Sequence, residues 1–222
     1  MIEIKMETRT YRLKGESPLL GSNPATDDLH SRFVAAKAAN AERRAAEEAM
    51  LPVPEQIQDD DFDSRGLTVF LRDNKGRLCI GNHAIKGFFK GALGTLKEQV
   101  GMSAVKTKVD KLLFIAPDFV TICDGHGEPQ KEPDYHKERP LRAETAMGPR
   151  ETLVSSECVD CPWQIEFSVT VVANSGTRAS RPLDFEVVET ALEYGKLHGL
   201  GQWRNGGYGR FSWERIDGGE GA

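Results

Sequence analysis

The stretch WQIEFSVTVVA, Trp163 to Ala173, alternates apolar and polar side chains along its length and is rich in β-branched residues. A strand turns successive side chains to opposite faces, so this pattern demands a strand buried on one side and wet on the other, as in an antiparallel sheet covered on one face. The rest of the chain must supply the neighbours and the cover. EIKMETRTYRL, Glu3 to Leu13, alternates as a first strand, and GLTVFLRDNKGRLCI reads as two short strands about a turn at Asn74, Lys75 and Gly76. GNHAIKGFFKGALGTLKEQVG, with Asn82 as its cap and Gly101 as its stop, places Ile85, Phe88, Phe89, Ala92, Leu93 and Leu96 on one helical stripe. KLLFIAPDFVTIC reads as strand, proline break and strand. LDFEVVETALEYGKLHG is a second amphipathic helix with Phe185, Val188, Ala191 and Leu192 inward, and GYGRFSWERI is a last strand.

Between the first two strands lies LHSRFVAAKAANAERRAAEEAM, Leu29 to Met50, an alanine-rich helix whose second half is polar nearly all round, followed by the linker LPVPEQIQDDDFDS. Setting such insertions aside leaves strand, helix, strand, strand, helix, strand, the order of an α+β ferredoxin-like fold. The formal charge of −5 argues against a nucleic-acid partner only until its distribution is read. The segment Glu42 to Asp63 holds eight acids and two bases, so removing it turns −5 into +1 for the remainder, and a basic face stays open to the fold. No run of 18 apolar residues and no basic-then-apolar leader is present, so a cytoplasmic protein is expected, and four cysteines in 222 residues make no disulfide framework.

The segment GLGQWRNGGYGRFSW, Gly199 to Trp213, combines Gly199, Gly201, Gly206, Gly207 and Gly209 with Trp203, Tyr208, Arg204 and Arg210. Glycine permits positive φ and close approach, guanidinium forks suit phosphates, flat rings stack on bases, and freed amides form anion nests. The alternative is a hairpin whose aromatics are core, since YGRFSW alternates like a half-buried strand. Lys86 and Lys90, four apart, share one helical face; they are either phosphate contacts or the solvated side of an amphipathic helix. HKERPLRAETAMGPRETLVSSECV adds Lys137, Arg139, Arg142 and Arg150 between two strands.

These pieces resemble a family. FLRDNKGRLCIGNHAIKGFFKGAL, Phe70 to Leu93, is similar to the segment in which backbone subunits of CRISPR effector complexes pass from a strand through an IPGSSLKGALR-type turn into their first core helix. SPLLG resembles their early loop, and GLGQWRNGGYGRF their terminal glycine-rich loop. The three anchors lie in the expected order, and the chain is identified by them as a member of the repeat-associated mysterious protein (RAMP) superfamily. The turn reads IGNHAIKGFF where small residues and serine are usual, and the acidic insertion is a further departure.

The resemblance implies a single domain over 1–222 with a modified RNA-recognition-motif core, a helical and acidic insertion at 29–65, and a thumb-like hairpin at 124–160 that reaches a neighbouring subunit. It implies a guide-RNA-binding backbone subunit that coats single-stranded RNA, pairs it with a target strand, and assembles with copies of itself and other effector subunits. RNA would be held on the sheet's open face through phosphates and sugars, with contacts from Lys86, Lys90, Arg139, Arg142, Arg150, Trp203, Arg204, Tyr208 and Arg210, and no cofactor would be needed.

Two nuclease alternatives stand beside this. In the RNA-cleaving branch of the superfamily a loop aspartate acts with a divalent metal such as Mg2+, which makes Asp27 and Asp28 catalytic candidates; helix capping explains the same pair. In a metal-independent nuclease His30 would be the general acid or base. A third alternative is a protein-only decoy or assembly factor imitating such a subunit. Cys123 with His126 and Cys158 with Cys161 have the spacing of a four-ligand zinc site if their loops meet; free cysteines at a buried strand are the other reading.

Overall fold

The computed structural model describes residues 4–25, 67–145, 148–173 and 180–216, with side chains left undescribed over 140–153. The helix expected at Leu29–Met50, the acidic segment, and the candidates Asp27, Asp28 and His30 all lie outside the described residues.

The alternating stretch that demanded a half-covered sheet is strand β11, Trp163–Val172, numbered in chain order. Its odd positions Trp163, Ile165, Phe167, Val169 and Val171 are buried. It pairs antiparallel with β1, Met6–Gly15, in an unbroken register from Met6 opposite Val172 to Lys14 opposite Gln164. On the far side of β1 lies β12, Phe211–Arg215, and on the far side of β11 lie β7, Leu113–Ala116, and β8, Phe119–Asp124. The sheet continues through β6, Leu78–Gly81, to β5, Leu71–Arg72. The central order β12-β1-β11-β8, all antiparallel, is that of the ferredoxin-like core.

Helix α1, Asn82–Thr95, covers one face with Ile85, Phe88, Phe89, Ala92 and Leu93. Helix α3, Phe185–His198, adds Phe185, Val187, Val188, Ala191 and Leu192. Each of the Ile, Leu, Val and Phe side chains among them, taken from water to full burial, contributes about 1.5–3 kcal/mol, so these stripes hold the helices to the sheet. Between them in sequence, packed against α1, comes α2, Val105–Leu112, which the sequence pattern did not announce. Its two buried residues, Val105 and Val109, are one turn apart, enough for a short helix once α1 lies alongside but too few to register as a stripe. Asn82 does not cap α1. Gly81 holds the cap position, and the Asn82 amide donates to Asp118 Oδ1 at 2.6 Å instead.

A second sheet stands beside the core. Strands β9, Tyr135–Thr145, and β10, Gly148–Val159, form a long antiparallel hairpin. At its root β10 pairs with β2, Leu19–Leu20, and with β4, Thr68–Val69, which in turn meets β3, Asn23–Pro24. Buried Glu157 ties this root to the core: it accepts from the Phe70 amide at 2.8 Å and from Arg72 at 3.0 Å.

Two glycines on the helices make opposite demands. A Cβ on Gly195 of α3 would run into the Phe211 ring, whereas one on Gly94 of α1 meets nothing within 4 Å. Gly195→Ala is therefore expected to destabilise the fold by about 1–3 kcal/mol through overpacking. Gly94→Ala should stabilise it by about 0.5–1 kcal/mol through helix propensity. Urea unfolding of the two variants checks this, and effects of the same sign would contradict the packing described.

Candidate nucleic-acid interface

The chain enters the glycine-rich segment from the end of α3, and backbone geometry fixes its path. Gly199, Gly201, Gly207 and Gly209 all have positive φ, between 71° and 85°. At Gly209 the need is also steric, because a Cβ would collide with the Leu200 carbonyl. That close approach allows Leu200 N to donate to Gly209 O at 2.8 Å and Gly209 N to donate to Pro18 O at 2.8 Å. Arg210 O then accepts from Glu16 N at 2.8 Å, and Arg210 N donates to Ser17 Oγ at 2.7 Å. The early loop SPLLG and the terminal glycine-rich loop are thus one hydrogen-bonded unit.

At the outer turn the chain makes a short 3-10 turn, Arg204–Gly206, entered through Trp203 in the left-handed region at φ 52°. Trp203 stacks on Tyr208 with ring centroids 4.9 Å apart and planes 20° off parallel, while remaining 39% exposed. Each ring therefore has one face taken by the other, so together they form a single two-ring step. Gly206 lies so close to the Trp203 indole that any side chain there would displace it.

The cations of the segment differ in their surroundings. The Arg204 guanidinium meets His198 Nε2 at 2.9 Å, and His198 itself stacks on Tyr194 at 5.2 Å. Burial, with Arg204 close by, pushes the His198 pKa down, so a neutral ring accepts from the arginine. Arg210 is exposed and its side chain lies beside Gly207. Among the described residues neither arginine has a carboxylate partner. No sequence motif marks His198; the signal for it is its place in the last turn of a helix just before a glycine.

Arg139 corrects an expectation. It is only 3% exposed, donating to Ser156 Oγ at 2.9 Å and to Gln202 Oε1 at 2.6 Å, with its guanidinium 5.4 Å from the Trp203 ring centroid. It joins the hairpin root to the glycine-rich loop and is not presented to a ligand. The side chains of Arg142 and Arg150 lie outside the described residues.

Lys86 and Lys90 are not brought to the loop. Lys86 donates to Asp110 O at 2.9 Å and sits 5.2 Å from the Phe114 ring centroid, and Lys90 pairs with the Asp110 carboxylate. Arg204 approaches α1 instead at Gly91, about 100° round the helix from Lys90.

The open face of the central sheet is charge-balanced. Arg12 pairs with Glu166 at 2.6 Å and Glu214 at 2.8 Å, and Lys14 with Glu214 at 2.9 Å. Lys14 and Arg12 hold the Glu214 pKa down, so that carboxylate stays ionised beside the cations a polyanion would need. Half-exposed Phe114 and Phe119 are on the β7–β8 side, with Phe114 opposite Thr170. The glycine-rich loop, whose arginines have no carboxylate partner among the described residues, is the stronger anion surface of the two.

Among the described residues no three His, Cys, Asp or Glu side chains converge as metal ligands. Cys158 is buried against the Tyr135 hydroxyl, and burial raises the pKa of Cys123, Cys158 and Cys161. No helix among the described residues is long and apolar enough to cross a membrane.

His198 gives the interface a pH signature. A histidine held neutral in the fold binds fewer protons than its unfolded counterpart, so its contribution is complete above the unfolded pKa near 6.5 and is lost as pH falls through the lower folded value. Thermal unfolding from pH 7.5 to 5 is expected to show this loss, and His198→Gln to reduce it. An identical pH profile in the variant would contradict the neutral ring.

No family model matches the chain. No match to a curated protein was found. Among solved structures, the chain is similar to a subunit in the cryo-EM structure of the Type III-B Cmr-beta complex bound to cognate target RNA, at a TM-score of 0.45 and 8% identity over 96% of this chain. The match spans 59% of that subunit, so this chain corresponds to about three fifths of its length.

Proposed function

We propose that this chain binds single-stranded RNA at its glycine-rich loop, as a guide-RNA-coating backbone subunit of a CRISPR-type effector ribonucleoprotein, without catalysing a reaction. The observation that carries RNA binding is the pairing of Arg204 and Arg210, without carboxylate partners among the described residues, on a loop already ordered by backbone hydrogen bonds. Ordering the loop in advance removes an entropic cost from binding, and its cations release counterions when they meet phosphates.

The narrower assignment is supported by the motif resemblance, to which the geometry adds that SPLLG and the glycine-rich loop bond directly through Pro18 and Gly209. In this reading residues 1–222 are one RAMP-like domain, the β9–β10 hairpin within 124–160 reaches the neighbouring subunit as a thumb, and Arg142 and Arg150 on it meet RNA or that neighbour. Lys86, already engaged by Asp110 and Phe114, contributes less than the two loop arginines.

Filter binding of labelled single-stranded RNA across a salt series tests the reading. Affinity is expected to fall steeply with salt, and removing Arg204 and Arg210 together as alanines should flatten the log–log slope by about 0.7 per lost phosphate contact. An unchanged slope and affinity in the double variant would overturn the assignment of the loop. Recovery of effector proteins after nuclease treatment, with no RNA in the preparation, would favour a protein-only assembly factor.

A further inference from the structure

Arg139 raises a question its hydrogen bonds do not answer. A guanidinium 3% exposed has lost nearly all its water, and its partners Ser156 and Gln202 are neutral. Among the described residues no carboxylate lies within ion-pair reach of it. The nearby buried acid, Glu157, is engaged by the Phe70 amide and Arg72. A buried charge without a counter-charge is destabilising, and an apolar side chain of similar volume often serves the same packing role as well or better. Burial accordingly works against the charged form of Arg139.

The surroundings indicate what this charge faces. The guanidinium lies under the half-exposed Trp203 ring, and Gln202 and Trp203 lead directly into Arg204. Its field emerges at the same loop that carries the unpaired Arg204 and Arg210. A charge embedded in the protein is screened by salt far less than one on the surface. An anion seated outside Trp203 would supply the missing counter-charge without touching Arg139.

We propose that the buried guanidinium of Arg139, which has no carboxylate partner among the described residues, is a positioning and charge-supplying residue for the glycine-rich loop, stabilising a bound phosphate backbone through Trp203 and Gln202 and not by contact. This rests on the reading that the loop binds RNA. The hairpin thereby acts on the loop's affinity through one side chain, and the free protein is less stable than its fold allows.

The decisive variant is Gln202→Glu, which keeps the geometry of the 2.6 Å contact and gives Arg139 a carboxylate, of which it has none among the described residues. Expected results are a higher melting temperature for the free protein and at least tenfold weaker binding of a single-stranded RNA at fixed salt. Arg139→Met, which removes the charge and keeps much of the volume, should also weaken binding while leaving the salt slope as in the wild type, since no phosphate contact is lost. Arg210→Ala serves as the contrast, because loss of a direct contact flattens the slope by about 0.7.

Wild-type affinity in Gln202→Glu with a raised melting temperature would overturn the inference, as would a lowered melting temperature in that variant. A flattened slope in Arg139→Met would show direct contact and overturn it equally. Should the wild-type protein bind no RNA even at low salt, the RNA reading itself falls.

Discussion

The approach of the Gly209 backbone to Leu200 and Pro18 is the contact on which the rest of the structure turns. The chain must leave α3, reverse at the outer turn and enter β12 beside β1, while β1 itself runs into the segment around Ser17 that lies under the reversal. Three stretches of backbone share a space in which side chains have no room, and their amides and carbonyls satisfy each other there. The loop is consequently an ordered part of the sheet's edge, and whatever it presents outward is held in place before any ligand arrives.

What it presents is defined by charge balance more than by charge count. The open sheet face has as many positive groups as the loop, yet Glu166 and Glu214 neutralise them in place. Around the loop the partners are a neutral histidine, an amide and aromatic rings. The same reasoning applies to Lys86 and Lys90, whose charges are absorbed by Asp110 and the α2 backbone. The anion surface proposed for the loop rests on cations that no described carboxylate neutralises.

The hairpin root and the core are tied by buried polar groups of two kinds. Glu157 is paired and satisfied, and holds β10 to the segment around Phe70. Arg139 is hydrogen-bonded, without a carboxylate partner among the described residues, and holds β9 to the loop. Polar ties of this sort specify one arrangement of the second sheet, because any slip in register would leave a buried polar group without its hydrogen-bond partners.

By itself the sequence determined the order of core elements, the inward stripes of α1 and α3, the alternation of β11 and the presence of a loop needing glycine. These follow from local periodicity and from residues whose backbone freedom is unique, and neither depends on distant parts of the chain. The folded chain alone decided that α2 exists, that Asn82 serves Asp118, that Trp203 and Tyr208 stack on each other, and that Arg139 turns inward while Arg204 and Arg210 meet no carboxylate among the described residues. Pairing of side chains far apart in sequence is a property of proximity, and a cation's partner is set by which strand or helix the fold lays next to it.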